Sequence, residues 1–479
     1  MNQFVKKITF GLPIFCFWFQ ITASGQSPFF EKRFGGAGVQ VAQSAVQGSD
    51  SAVYLFGYAE SGTAGDYDMC LMKITSSGDS VWTRYYGTSR VEFGNAINAF
   101  GSDRLVLIGT TADSMLQNGD DVMMLLVDTA GNELWRRVYG GPGSQGSRWV
   151  EATADSGFIF CGFTPDIFGS NNAWVVKTDA LGTVQWSATP GGVENDVAMR
   201  VIATGDSTWV MTGDSKSAGN GNYDVWIVGF NNQGQVTFDH IHTDSLTNGC
   251  QGMMKTSSGR LVSFGETEVS PGSFFDFQLH VFDMQGNFIR DHHFGGNGAD
   301  ALFDMVECDN GDWLGTGYSN SHSGGMLPID VALVRMDSVG NLQWTRHYGG
   351  NGIDLGYKLI RALGGGYFAA GRGTGLDEDF YLLRFGEDGL LGINQVGIQE
   401  TALIEVYPNP VTSRLTARSY SGISYCEISD LAGRGLINSK SAGSLSVELD
   451  VSELNAGIYF LQAIDIFGKT SCVRWVLSR

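Results

Sequence analysis

Cysteine is scarce in this chain, seven in 479 residues, and no two stand in a CxxC spacing. Cys16 lies in an apolar N-terminal run. The other six are Cys70, Cys161, Cys250, Cys308, Cys426 and Cys472, too sparse for a disulfide scaffold and without zinc-ligand spacing. Cys426 and Cys472 share the C-terminal segment, and the sequence leaves open whether they pair. Basic residues are also few, 30 against 50 acidic, for a net charge of −20. The imbalance sits in residues 26–403, with 21 basic and 43 acidic residues, whereas residues 404–479 hold seven of each. Such a body repels phosphate backbones and speaks against nucleic acid as a partner. Catalytic signatures are missing too: no G-x-S-x-G, H-E-x-x-H or Walker loop, and no strict S-x-D-x-G-x-x-W box. No carboxylate pair can be nominated as acid and base from sequence. The reading leans against an enzyme without deciding it, and no catalytic residue is named.

Long apolar runs are confined to the first 25 residues. Lys6 and Lys7 precede an apolar stretch from Ile8 to about Ile21, and the small residues Ala23 and Gly25 follow. This reads as a secretory signal peptide over residues 1–25, cleaved near Gly25/Gln26. No later stretch is long enough to span a bilayer as a helix, so no transmembrane segment is expected.

Glycine, by contrast, is abundant (67 against nine prolines), and its placement is periodic. Glycines closing an apolar run fall at Gly57, Gly109, Gly162, Gly213, Gly265, Gly317 and Gly371, spaced by 52, 53, 51, 52, 52 and 54 residues. The same spacing recurs for a glycine after an aromatic phrase (Gly35, Gly87, Gly140, Gly191, Gly295, Gly349, with Thr243 in the fifth place). It recurs again for a turn glycine (Gly78, Gly131, Gly182, Gly234, Gly286, Gly340, Gly389). Three registers running together define seven repeats of about 52 residues. Each reads as four short strands broken by Gly, Asp, Asn and Ser, with no helical period. Ordering 52 residues costs roughly 1.5 kcal/mol each, about 78 kcal/mol, more than one small sheet offsets, so the repeats must stack. The fold class is therefore all-β: a seven-bladed β-propeller over residues 26–392, in which no blade keeps a bare face. The phasing also predicts the closure. "FFEKRFGG" at 29–36 lacks its preceding strands and "FYLLRF" at 380–385 lacks a following phrase, so the N-terminal strand should complete the seventh blade.

The aromatic phrase recurs as "VWTRYYGT", "LWRRVYGG" and "QWTRHYGG". Its aromatic, basic and aromatic positions alternate along one strand face. They are expected to fill the gap between blades, with the arginine between two rings. These units resemble a bacterial β-propeller repeat family whose members read W-x-R-x-[FY]-G, then G-x-[ILVF]-x-x-x-G, then D-x-[FWY]-x-x-K-x-D-x-x-G. The resemblance covers residues 29–391 and implies a fold, not an activity.

Two further sets of polar residues keep register. Five residues after the phrase glycine stand Gln40, Glu92, Gln145, Asp196, Asn248, Asp300 and Asp354. Glu92, Asp196, Asn248, Asp300 and Asp354 are the candidate binding residues, a ring at one mouth of the channel suited to a polyol or a cation; no cofactor is expected, calcium being the ion that such oxygen ligands would fit if one is bound. The competing reading is that each side chain caps the amides of its own loop. The second set, Asp68, Asp121, Asn172, Asp224, Asp276, Asp330 and Asp379, reads as turn chemistry at the start of the third strand.

After Gly392 the register is lost. Residues 393–403 form a polar linker, and residues 404–479 alternate apolar runs of a size that suggests a small β-sandwich. This segment resembles the type A sorting domain of the bacterial type IX secretion system, through Tyr407, Pro408, Asn409 and Pro410, "ISDLAGR" at 428–434, and "LNAGIYFL" at 454–461 with Gly457 and Tyr459. The resemblance implies a partner, the type IX machinery, and a destination, secretion or the outer-membrane surface. The expected function is a non-catalytic module, monomeric, binding an extracellular glycan or protein. An extracellular hydrolase or lyase working at the channel mouth is the alternative, as is a purely structural surface protein.

Overall fold

The computed structural model describes residues 29–36, 38–60, 67–113, 119–205, 207–217, 221–243, 246–270, 273–325, 327–374, 378–391, 404–407, 411–430, 434–466 and 470–478. The leader, the linker 393–403 and Pro408, Asn409 and Pro410 lie outside them, as does the side chain of Cys472. The chain divides into two compact units, residues 1–392 and 393–479.

The first unit is built of seven four-stranded antiparallel sheets. In six of them, four consecutive strands pair in chain order, from the innermost to the outermost. The seventh takes Leu355–Arg361, Tyr367–Thr374 and Glu378–Phe385 from the end of the unit and Phe30–Phe34 from its beginning. The N-terminal strand pairs antiparallel with the last, Phe30 facing Arg384 and Phe34 facing Phe380, so the predicted closure is realised. Apolar packing confirms the ring. Buried side chains form one cluster per blade junction, and the seventh joins Ala42, Val53 and Leu55 of the first blade to Phe368, Phe380 and Leu382 of the last. An open stack of seven blades would have only six junctions.

Each glycine register has its own physical cause. The turn glycines have φ between +74° and +97°, a region a side chain resists, and the aromatic phrase of the preceding blade covers them. A Cβ on Gly131 would meet Trp82 at 3.0 Å, and one on Gly389 would meet Trp344 at 2.4 Å. Tyr86 and Tyr139 donate hydrogen bonds to the carbonyls of Gly131 and Gly182, at 2.8 and 2.7 Å. The phrase is thus a lock between blades. One detail differs from expectation. Arg84, Arg137 and Arg346 each stand over a single ring, the tryptophan two residues earlier, 5.2 to 5.7 Å from its centroid. The tyrosine that should have been the second ring turns its hydroxyl to the neighbouring turn instead. Where Arg290 replaces the aromatic, Trp313 of the next blade comes within 3.2 Å of the Cβ position of the turn glycine, Gly340.

The glycines of the second strand make room for a β-bulge. A Cβ on Gly162 would stand 1.8 Å from the carbonyl oxygen of Gly146, and one on Gly213 would stand 1.9 Å from that of Val197. In all seven blades the innermost strand skips one residue of its pairing register opposite this glycine. The skipped residue leaves the ladder.

The second unit is a five-stranded antiparallel sheet. Its two 16-residue strands, Arg414–Ser429 and Gly435–Asp450, turn at Gly422 and Gly443, both at positive φ. Their two halves thereby enclose one core containing Leu415, Ile428, Leu461 and Trp475.

Candidate functional site

The aligned polar set at the start of the innermost strands is turned inward. Glu92, Asp196, Asn248, Asp300 and Asp354 are each at most 1% exposed. Four of them accept a hydrogen bond from an amide four residues earlier: Thr88 to Glu92 at 3.2 Å, Gly192 to Asp196 at 2.7 Å, Gly296 to Asp300 at 3.1 Å and Gly350 to Asp354 at 2.9 Å. Asn248 accepts from Gln278 at 2.7 Å. Hydroxyls fill further lone pairs, Thr111 on Glu92, Ser215 and Ser217 on Asp196, and Ser321 on Asp300. For the four carboxylates the geometry is that of loop caps, each serving its own blade. The third-strand acids converge on the same loops. A Cβ on Gly87 would strike Asp68 at 1.8 Å and one on Gly349 would strike Asp330 at 2.5 Å, which is why the phrase ends in glycine. Among the described residues, no group of three or more His, Cys, Asp or Glu side chains is placed to hold a metal ion.

The bulge residues line the axis. They are Gln43, Asn95, Arg148 and Met199 in the first four blades and Gln251, Phe303 and Tyr357 in the last three, all around one cavity of about 160 Å³. Each lies eight residues after its phrase glycine, or after Thr243 in the fifth unit. The residues that follow them supply Trp149, Arg200 and Lys358 to the same cavity, with Asp304 buried beside them. The scaffold therefore repeats seven times, while the side chains aimed down its axis do not.

A buried charge cluster occupies one part of this lining. Asp304 accepts from Arg200 at 2.8 Å, from Lys358 at 2.7 Å and from the amide of Leu359 at 3.0 Å. Burial opposes its ionisation, but Lys358 and Arg200 together hold its carboxyl below the usual carboxylate range. Trp149 stands against both cations, 4.0 Å from Arg200 and 4.6 Å from Lys358, and its indole N–H donates to Glu151 at 3.2 Å. Burial pushes the Glu151 carboxyl up.

Other residues near the axis follow the second-strand glycines. Asp214 accepts from the amide of Cys250 at 2.6 Å, and burial with the nearby Glu266 pushes its carboxyl up to about 8. Burial takes Glu266 up to about 7, against a hydrogen bond from Gln251 at 3.1 Å. On the apolar side, the Phe303 ring lies 5.1 Å from that of Tyr357 and 5.6 Å from that of Tyr318.

The residues resembling a sorting motif have structural roles where they are described. Tyr407 ends the strand Ile404–Tyr407, and Gly457 opens the strand Gly457–Asp465. Tyr459 stacks on Trp475 at 5.2 Å and donates to the carbonyl of Asn455 at 2.7 Å. Cys426 is a free, buried thiol.

No curated protein sequence matches the chain. Among solved structures, it is similar to the extracellular domain of a hybrid two-component system protein from B. thetaiotaomicron, with 11% identity and a TM-score of 0.40 over 92% of this chain and 55% of that one. The chain thus spans about half the length of that structure. It is also similar to the WD40 domain of Neurospora crassa Pan2 (8% identity, TM-score 0.44, covering 76% of this chain and 99% of that one). A third similar structure is the GH93 α-L-arabinofuranosidase of Fusarium graminearum (9% identity, TM-score 0.41, 76% and 100%). Residues 405–472 match the family described as the secretion system C-terminal sorting domain.

Proposed function

We propose that this chain is a seven-bladed propeller exported through the type IX secretion system by residues 404–479, and that the propeller is a non-catalytic binding module at or beyond the outer membrane. The sorting-domain match supports the route. One observation carries the binding reading: a chain that repeats its scaffold seven times abandons the repetition along its axis. A ring that needed only to be stable could fill those seven positions alike. Here they hold amides, an arginine, a methionine, a phenylalanine and a tyrosine. The ligand is an extracellular glycan or protein that places a group in the channel.

Two measurements test this. In a bacterium that has the type IX system, the full chain should reach the surface or medium, and a chain ending at residue 403 should stay inside the cell envelope. Residues 26–479 should retain a partner on a glycan array or in an envelope-protein pulldown, and Arg148→Gln should weaken that retention. Equal retention by both proteins would contradict the channel as the site. An extracellular hydrolase or lyase is the second reading, supported by Asp214, which holds its proton at neutral pH beside Arg148. Products released from an array glycan by the wild-type protein and not by Asp214→Asn would favour it.

A further inference from the structure

We propose that the channel binds a small hydroxylated carboxylate, of the class of a uronic or aldonic acid, with Arg148 as its anchor. This rests on the channel being the binding site and names what it takes.

The charge of the lining is the first reason. The chain as a whole carries a net −20, yet the cavity is lined by three cations, Arg148, Arg200 and Lys358, and by no carboxylate. Asp304, beside them, balances one of these charges. Of the other nearby acids, burial pushes the carboxyls of Glu151, Asp214 and Glu266 up, the last two to about 8 and about 7, while burial also lowers Lys358 against the pull of Asp304. Below about pH 7, where Asp214 and Glu266 keep their protons, the pocket holds an excess of positive charge that an anion would complete.

The second reason is the state of Arg148. The bulge carries it into the channel, where it is exposed. Its guanidinium stands 5.8 Å from the centroid of the Phe163 ring. Among the described residues, its guanidinium makes no hydrogen bond and no ion pair. That leaves five N–H donors in a planar fork, the shape that grips a carboxylate through two oxygens. Arg200 adds an Nε–H that is buried without a partner.

Size and neighbours narrow the class. A cavity of about 160 Å³ has the volume of roughly five waters. It lies below the 300–1,000 Å³ or so of drug-sized ligand pockets, so it takes one small ring or its open-chain equivalent. Gln43, Asn95 and Gln251 bring amides to the lining. The NH2 groups of Asn95 and Gln251 are held by Ser147 at 2.9 Å and Glu266 at 3.1 Å, which leaves their carbonyl oxygens to accept from ligand hydroxyls. The paired rings of Phe303 and Tyr357 offer a face to carbon-bound hydrogens. An inorganic anion would use the arginine and leave the amides and rings idle.

The test is a calorimetric titration of residues 26–479 at pH 6 with glucuronate, glucose and sulfate, each against the wild type, Arg148→Gln and Arg148→Lys. Glucuronate should bind, and glucose should bind at least roughly 10-fold more weakly, as expected when one charge-assisted pair is lost. Sulfate should also be weaker than glucuronate. Arg148→Gln should lose roughly 10- to 100-fold for glucuronate with an unchanged melting temperature, and Arg148→Lys should recover part of the loss. Glucose and glucuronate binding alike, sulfate binding as tightly as glucuronate, or an indifferent Arg148→Gln would each overturn the proposal. If array or pulldown partners respond to Arg148→Gln while no uronate binds, this proposal falls and the channel remains the site. If they do not respond, the site reading falls as well.

Discussion

Asp304→Asn is the sharpest perturbation of the channel. The substitution keeps the shape and one acceptor oxygen but removes the charge that Arg200 and Lys358 share at 2.8 and 2.7 Å. Asp304 is about 1% exposed, so water does not take its place. Removing one partner from a buried ion pair costs about 3–5 kcal/mol, because the remaining charges stay buried without compensation. A domain of some 360 residues, at about 2.1 cal/mol/K per residue, has an unfolding entropy near 0.8 kcal/mol/K, so the melting temperature should fall by about 4–6 °C. Differential scanning calorimetry on residues 26–479 reads this directly. The triple variant Arg200→Met, Asp304→Leu, Lys358→Met replaces the cluster with apolar side chains and should return to within about 2 °C of wild type, since desolvating the ions then costs nothing. A single variant that melts within 1 °C or so of wild type would refute the reasoning, as would a triple variant no better than the single one.

Other expectations follow from the same structure. Because Asp214 titrates near 8 and Glu266 near 7 when folded, against about 4 when unfolded, the folded state holds protons that the unfolded state gives up. Stability should therefore decline as pH rises from about 5 to about 8 and then level off, and Asp214→Asn with Glu266→Gln should flatten that decline in melting curves. Tyr139→Phe removes the buried hydroxyl bonded to Gly182 at 2.7 Å and should cost about 1–2 kcal/mol in urea denaturation, without effect on binding. Arg33→Ala, which unpairs Asp354 from the closing strand at 2.9 Å, should speed hydrogen exchange in Glu378–Phe385 more than in any other blade's third strand. With the ring carboxylates turned to loop amides, calcium and a chelator should give the same melting temperature within about 1 °C. A calcium-dependent rise would restore the mouth ring as an ion site.

Much of the ring was legible because its constraints are repeated. Gly57 and its counterparts recur because a carbonyl of the bulged strand stands where their Cβ would be, and Gly131 and its counterparts recur because a phrase tryptophan or its equivalent covers them at positive φ. Steric requirements of that kind are met by one residue type, so they appear as a period. The closing strand was legible for a related reason: "FFEKRF" has the composition of an outer strand and no blade of its own. The capping set illustrates the limit. Alignment placed Asp196 and Asp354 at the start of the innermost strand, but a strand start faces both the channel and the preceding loop. The amides of Gly192 and Gly350 decide between them. The axial residues were hidden because they stand at the positions where the repeats differ. The position eight residues after the phrase glycine reads Gln, Asn, Arg, Met, Gln, Phe and Tyr, and its very irregularity was the available signal. Asp214 and Glu266 carried a weaker one, as acids following a glycine that elsewhere precedes an aromatic (Tyr58, Phe163, Tyr318), threonine or arginine.

The most direct measurement is a crystal structure of residues 26–479 soaked with galacturonate. The account predicts one ligand on the propeller axis with its carboxylate oxygens within about 3.2 Å of the Arg148 guanidinium. An axis that stays filled with water at saturating ligand, or galacturonate bound only on the outer strands, would contradict it.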